Sequence, residues 1–169
     1  MKKHFSAKDI SCGALLIALN IVITRLLSID IGAVRIGFTF LPIALGSMLF
    51  GPLIGALFAL LADVLGMLMS GGLPWLGFCI NTVLHGASYG IFLYNKEKSF
   101  KNIIPCVLLQ AAIIDTFLGA IWFNHYIGMP FFTALWTRGL DALVMIPVKA
   151  FFIKYMWIYV GIRIEKSIR

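Results

Sequence analysis

Charge is scarce in this chain. Only 12% of its residues are Asp, Glu, Lys or Arg, against 61% hydrophobic, and its mean hydropathy is +0.98. Soluble domains carry about twice that share of charge, so a soluble globule is excluded and an integral membrane protein is indicated. No polar stretch is long enough for a separate water-soluble core, which predicts one membrane domain over residues 1–169. The three cysteines, Cys12, Cys79 and Cys106, stand alone in apolar surroundings without metal-ligand spacing and read as packing residues. No Gly-rich loop ending in Lys-Ser or Lys-Thr is found, so the chain is not expected to hydrolyse ATP by the usual route. His4, His85 and His125 lie far apart, and no Ser-His-Asp, Cys-His or paired-carboxylate arrangement argues for catalysis. An enzyme is not expected, nor a cofactor or metal. A secondary carrier built on internal repeats is disfavoured too, because no repeat is visible.

What is present is a series of hydrocarbon-length runs. Judged against the roughly 20 apolar residues needed to cross a bilayer, they predict an all-α bundle of six transmembrane helices at residues 10–29, 37–50, 53–69, 75–94, 103–123 and 131–158. The second run is short and holds Pro42, so it is expected to tilt, kink or join its neighbour at the tight "FGPLIG" turn, Phe50 to Gly55. The amino terminus imitates a secretory signal, but no small-x-small cleavage site follows and Arg25 interrupts its tail; a retained first helix is expected.

The net charge of +7 does not describe a nucleic-acid surface. Lys2, Lys3 and Lys8, then Lys96, Lys98 and Lys101, then Arg163, Lys166 and Arg169, sit at the ends of apolar blocks. Six spans place all three clusters on one side, which the positive-inside rule makes cytoplasmic, with both termini. The opposite loops hold Arg35 as their only Lys or Arg.

Charged groups within apolar spans cost about 2.5–3.5 kcal/mol each on insertion scales and call for a reason. By this topology Arg25, Asn81, Asn124, His125, Arg138 and Asp141 fall toward the outer half, beneath Arg35. Such segregation suggests a pocket open to the outside and suited to a carboxylate ligand. The competing reading is that Arg25 and Arg138 snorkel or pair with Asp30 and Asp141. Aromatic residues gather at the same end, with Phe38, Phe40, Trp75 and Phe78 as candidate contacts for a flat heteroaromatic ring, against the plainer reading of an interfacial belt. On the fourth span Phe78, Asn81, His85 and Ser88 share one helical face. His85 reads as an interhelical hydrogen-bond partner and stays off the site. Asp63 can accept paired donors from an amino-pyrimidine edge or tie helices together. Asp115 and Lys149 suit a mutual pair more than a proton route. On the first span Ala7, Ser11, Ala14 and Ala18 form a narrow stripe of small residues where another helix can approach.

These blocks, "RIGFTFLPIALGSMLFGPLIGALFALLADVLG" from Arg35, "LPWLGFCINTVLHGASYGIFL" from Leu73 and "GMPFFTALWTRGLDALVMIPV" from Gly128, with the "ALLIALNIVITRLL" helix from Ala14, resemble the substrate-binding (S) components of energy-coupling factor (ECF) vitamin transporters, and within them the folate family. The resemblance implies a six-helix prokaryotic membrane protein that binds its vitamin from outside. It implies partners as well: a transmembrane coupling protein and two ATPases, which topple the loaded subunit inward. The family's Ala-x-x-x-Ala docking motif maps onto Ala14 and Ala18. Folate would then meet Arg25, Arg35, Phe38, Phe40, Asp63, Trp75, Phe78, Asn81, His125 and Arg138. The fourth span, "CINTVLHG", departs from the Ala- and Ser-rich folate pattern, so another vitamin such as cobalamin is an alternative. A stand-alone ion-coupled carrier using Asp115 and Lys149 is a second.

Overall fold

The computed structural model describes residues 7–26, 28–31, 34–69 and 75–168. Six helical rods run up and down: α1 (Ala7–Leu26), α2 (Phe40–Phe50), α3 (Pro52–Met69), α4 (Leu76–Leu93), α5 (Phe100–Ile127) and α6 (Phe131–Ile168). Five are long and apolar enough to cross a membrane; α2 is not. Among the described residues the bundle is therefore helical, as the hydropathy runs predict, with one addition. Ser28–Ile31 (β1) and Val34–Gly37 (β2) form an antiparallel hairpin at the α1–α2 connection. The predicted first and second spans are corrected accordingly, because their facing ends are strand.

The hairpin marks one end of the bundle. The other, the lysine end, carries the α2–α3 turn and the α4–α5 loop. Gly51 breaks α2 from α3 at φ 91°, where a side chain would be strained, and Pro52 opens α3 with the fixed φ that suits a first helical position. Gly128, in the left-handed region, ends α5 at the hairpin end, and its N–H donates to the Asn124 carbonyl. Lys154 lies 3.9 Å from the ring centre of Phe100 and Lys98 4.2 Å from that of Trp157, so α6 is anchored to the α4–α5 loop region by cation–π contacts.

Although only 11 residues long, α2 is buried at nine of them, from Phe40 to Leu49, so neighbouring helices surround it. Hydrocarbon tails are as apolar as leucine, so helices in a membrane are held by close packing rather than by escape from water. At the lysine end that packing is backbone on backbone. A Cβ on Gly55 would meet Ser47, one on Gly86 would meet the Gly55 carbonyl, and one on Gly90 would meet Pro52. Polar ties reinforce it: the fully buried Gln110 amide donates to Ser88 Oγ at 2.7 Å, and Ser88 Oγ donates to the His85 carbonyl at 2.8 Å.

Two rods depart from α geometry. Residues Gln110–Leu118 of α5 and Trp157–Gly161 of α6 are π-helical, and α6 continues beyond the second to Ile168, well past the predicted end at 158.

Candidate functional site

Toward the hairpin end α3, α4 and α6 part around a cavity of about 490 Å³. Its described lining brings Asn20 and Thr24 from α1 and Thr39 and Phe40 from the entry to α2. Asp63 and Met67 come from α3, and Thr82, His85 and Tyr89 from α4. Asp115 from α5 and Arg138, Asp141, Met145 and Lys149 from α6 complete it. A mixed wall of this kind, apolar with a few convergent polar groups, is the usual form of a small-molecule site. Along α6 the distance from Arg138 to Lys149 is eleven residues, about 16 Å at 1.5 Å per residue, so the cavity reaches deep between the helices.

The deepest polar group is a three-helix network. His85 Nε2 stands 2.9 Å from Asp115 Oδ1, and Lys149 Nζ donates to Asp115 Oδ2 at 2.8 Å. Both carboxylate oxygens are engaged, one by the imidazole and the other by the ammonium. The π-helical stretch makes this possible. In an α-helix, residues five apart point about 140° away from each other. The wider π turn lets Gln110 and Asp115 both reach α4, where Ser88 and His85 receive them. Thr116 Oγ1 donates to the carbonyl of Ala111, five residues back, as that turn requires.

Higher up, the Asp63 carboxylate faces the Cys79 thiol and the Thr82 hydroxyl. Arg138 lies over the Phe123 ring, 3.7 Å from its centre, and its Nη1 is 3.6 Å from Asp141 Oδ2. Asn20 Nδ2 donates to the Thr39 carbonyl at 3.0 Å and ties α1 to the foot of the hairpin.

Of the sequence-predicted residues, Phe40, Asp63 and Arg138 line this cavity. Trp75, Phe78 and His125 gather instead in an aromatic cluster beside it. The Trp75 ring lies 5.3 Å from Phe78, 5.5 Å from Trp122, 5.2 Å from Tyr126 and 6.2 Å from His125. Phe123, which packs on Phe78 at 5.7 Å, carries Arg138 and links cluster to cavity. Asn81 is a tie between helices: its amide donates to the Ile114 carbonyl and its oxygen accepts from Trp122 Nε1. Phe38 packs edge-on against Phe152. The backbones of Arg25 and Arg35 belong to α1 and β2, and the hairpin register sets Asp30 opposite Arg35, but the two arginine side chains lie outside the described residues. Sequence reasoning kept His85, Asp115, Asp141 and Lys149 off the site and did not single out Asn20, Thr82 or Tyr89, all of which line the cavity. For His85 the signal was there: the shared face with Asn81 and Ser88, and a carboxylate and an amine at similar depth on other spans.

On the opposite flank Ala7, Ser11, Ala14 and Ala18 are all exposed, in company with Leu15 at 69% and Val22 at 50%. The small-residue stripe of α1 is thus an outer face of the bundle.

A family model described as ECF transporter, substrate-specific component, matches residues 8–164. Among curated proteins, a folate transporter FolT from Clostridium novyi (strain NT) is 34% identical over 145 residues, 85% of this chain and 84% of that one. A second FolT, from Leuconostoc mesenteroides subsp. mesenteroides, is 27% identical over 143 residues, 80% and 77% of the two chains. Among solved structures, FolT bound with folic acid superposes with a TM-score of 0.80 at 30% identity, covering 89% of this chain and 93% of that one. The S-component for biotin from an ECF-type ABC transporter shares the fold, with a TM-score of 0.68 at 19% identity over 96% and 99%.

Proposed function

The chain belongs to the substrate-specific components of ECF transporters, and on that premise we propose that it is the folate-binding subunit of such an importer. The observation that carries the vitamin is the pairing of a FolT relative at 34% identity with a cavity whose chemistry suits a pteridine. The cavity offers Asp63 for an amino edge, Phe40 and Met67 for ring faces, and Arg138 nearer the hairpin end for an acidic tail. Arg25 and Arg35, placed by sequence at that same end, supply further positive charge for the two tail carboxylates. Trp75, Phe78 and His125 wall the entrance, and Asn81 holds that wall to α4 through Trp122. This chain recognises and does no chemistry; a transmembrane coupling protein and two ATPases supply the energy.

Orientation follows from charge. The lysine end, with both termini, faces the cytoplasm and the hairpin end faces outside, where ligand is met. The exposed stripe through Ala14 and Ala18 is the docking face for the coupling protein, since small side chains let a partner helix approach closely. The single membrane domain comprises the whole chain.

Calorimetric titration of the purified chain in detergent, with folic acid against riboflavin, cobalamin and biotin, tests the reading. Tight one-to-one binding of folic acid alone is expected, without any ATPase present. A folded protein that takes a comparator and ignores folic acid would overturn the vitamin while keeping the family. For docking, Ala14→Trp or Ala18→Trp should abolish uptake by the assembled importer and leave folic acid affinity within about twofold, as expected of an outer face remote from the cavity. Retained uptake would remove α1 from the interface.

A further inference from the structure

The floor network holds a donor with nothing yet to do. Lys149 is buried to 7% exposure, and its ammonium carries three N–H donors. One goes to Asp115; among the described residues no second acceptor is seen for it. Asp115 in turn holds His85 on one oxygen and Lys149 on the other. The spare donors of the floor are the remaining N–H groups of Lys149. One turn toward the hairpin end the pattern reverses. Asp63 faces Thr82, which precedes His85 by three residues, or about 4.5 Å along α4. An acceptor from α3 and a donor from α6 thus line one cavity at levels about one helical turn apart.

Charge decides which end of a folate-like ligand goes down. Among the described lining, three carboxylates, Asp63, Asp115 and Asp141, stand against the two cations Arg138 and Lys149. A dianionic tail gains nothing by descending into such a site, whereas a neutral ring with donors and acceptors does. The tail stays near Arg138, and the ring reaches the floor.

Resting on the folate reading, we propose that Lys149, positioned by Asp115, donates to the ring carbonyl of the bound pteridine while Asp63 accepts from its amino edge. The site then distinguishes a ring carbonyl from a ring amine. An amine at that place turns N–H toward an ammonium and leaves the buried donors of Lys149 unpaired, the situation in which a hydrogen-bonding site rejects an analogue most strongly. Asp115 is a positioning residue in this scheme; Lys149 and Asp63 touch the ligand.

The test uses the full chain in detergent and two probes, folic acid and 4-aminofolic acid, the second of which replaces the ring carbonyl by an amine and, with it, the neighbouring ring N–H by an acceptor nitrogen. Wild type should favour folic acid by about tenfold or more. Lys149→Met should collapse the preference to about threefold or less, chiefly by weakening folic acid, while Lys149→Gln, which keeps a donor, should retain part of it. Equal affinities for the two probes in wild type would overturn the proposal. So would equal losses for both in Lys149→Met, which would put the ammonium on a feature they share, such as a tail carboxylate. If Lys149→Met does not fold, wild type and Lys149→Gln still decide. Binding of neither probe by folded wild type would sink the folate reading itself, a result distinct from a lost preference.

Discussion

Gly55 and Gly66 lie eleven residues apart on α3, in similar apolar sequence, and have opposite surroundings. At Gly55 an added Cβ would strike Ser47, and the Gly55 carbonyl itself lies where Gly86 of α4 needs a missing side chain. At Gly66, on the cavity wall, a Cβ would meet nothing within 4 Å. The same residue type closes the bundle at the lysine end and hollows it toward the hairpin end. In a membrane, where association depends on fit, one end becomes a rigid base by letting backbones touch, and the other keeps a recess for a ligand.

The comparison breaks most visibly at Gly86. Gly86→Ala should lower stability by about 2 kcal/mol, since the new methyl meets backbone rather than a movable side chain. Thermal melting of the purified protein in detergent reads this, and an unshifted melt would mean that the helices are free to separate there. Next comes Arg138→Ala on the cavity side. Folic acid affinity should drop about tenfold or more as the tail loses a cation and Asp141 is left closer to it, with only a small change in melting. Unaltered calorimetric affinity would take Arg138 out of the site. Gly66→Ala should reverse the sign seen at Gly86, raising stability by about 0.5–1 kcal/mol through the lower chain entropy of alanine in a helix. Destabilisation there would show that the wall is tighter than its geometry indicates. The smallest effect is expected at the outermost anchor of the base. Lys154→Met removes the cation over Phe100 and should cost about 0.5 kcal/mol, visible only as a slight fall in denaturation midpoint.

Much of this division was legible beforehand. Run lengths, the "FGPLIG" break and the lysine clusters predicted the six rods and their alternation. The pairing of Asp115 with Lys149, and a structural bond for His85, were legible too, because buried ions in a membrane must find partners. The hairpin escaped notice although "SIDIGAVRIG" alternates apolar residues with others on either side of the pair Gly32 and Ala33, a strand-turn-strand pattern. Its strands have only four residues each, too short to stand out beside helices. The candidate rings were legible as a group but not by role. Trp75 and Phe78 share a cluster beside the cavity while Phe40 alone of the predicted aromatics lines it, a sorting that periodicity along one helix does not perform.

The sequence by itself determined the solvent, the number of rods and their alternation, because hydrocarbon length, proline and glycine breaks and the placement of lysines act locally along the chain. Only the tertiary structure decided which faces turn inward. A soluble helix advertises its buried face by contrast with its wet one, but here lipid and core are equally apolar and the contrast vanishes. Which glycine is filled by a neighbour and which faces a hollow, and whether a π turn brings Asp115 round to His85, depend on the shapes that adjoining helices present to one another.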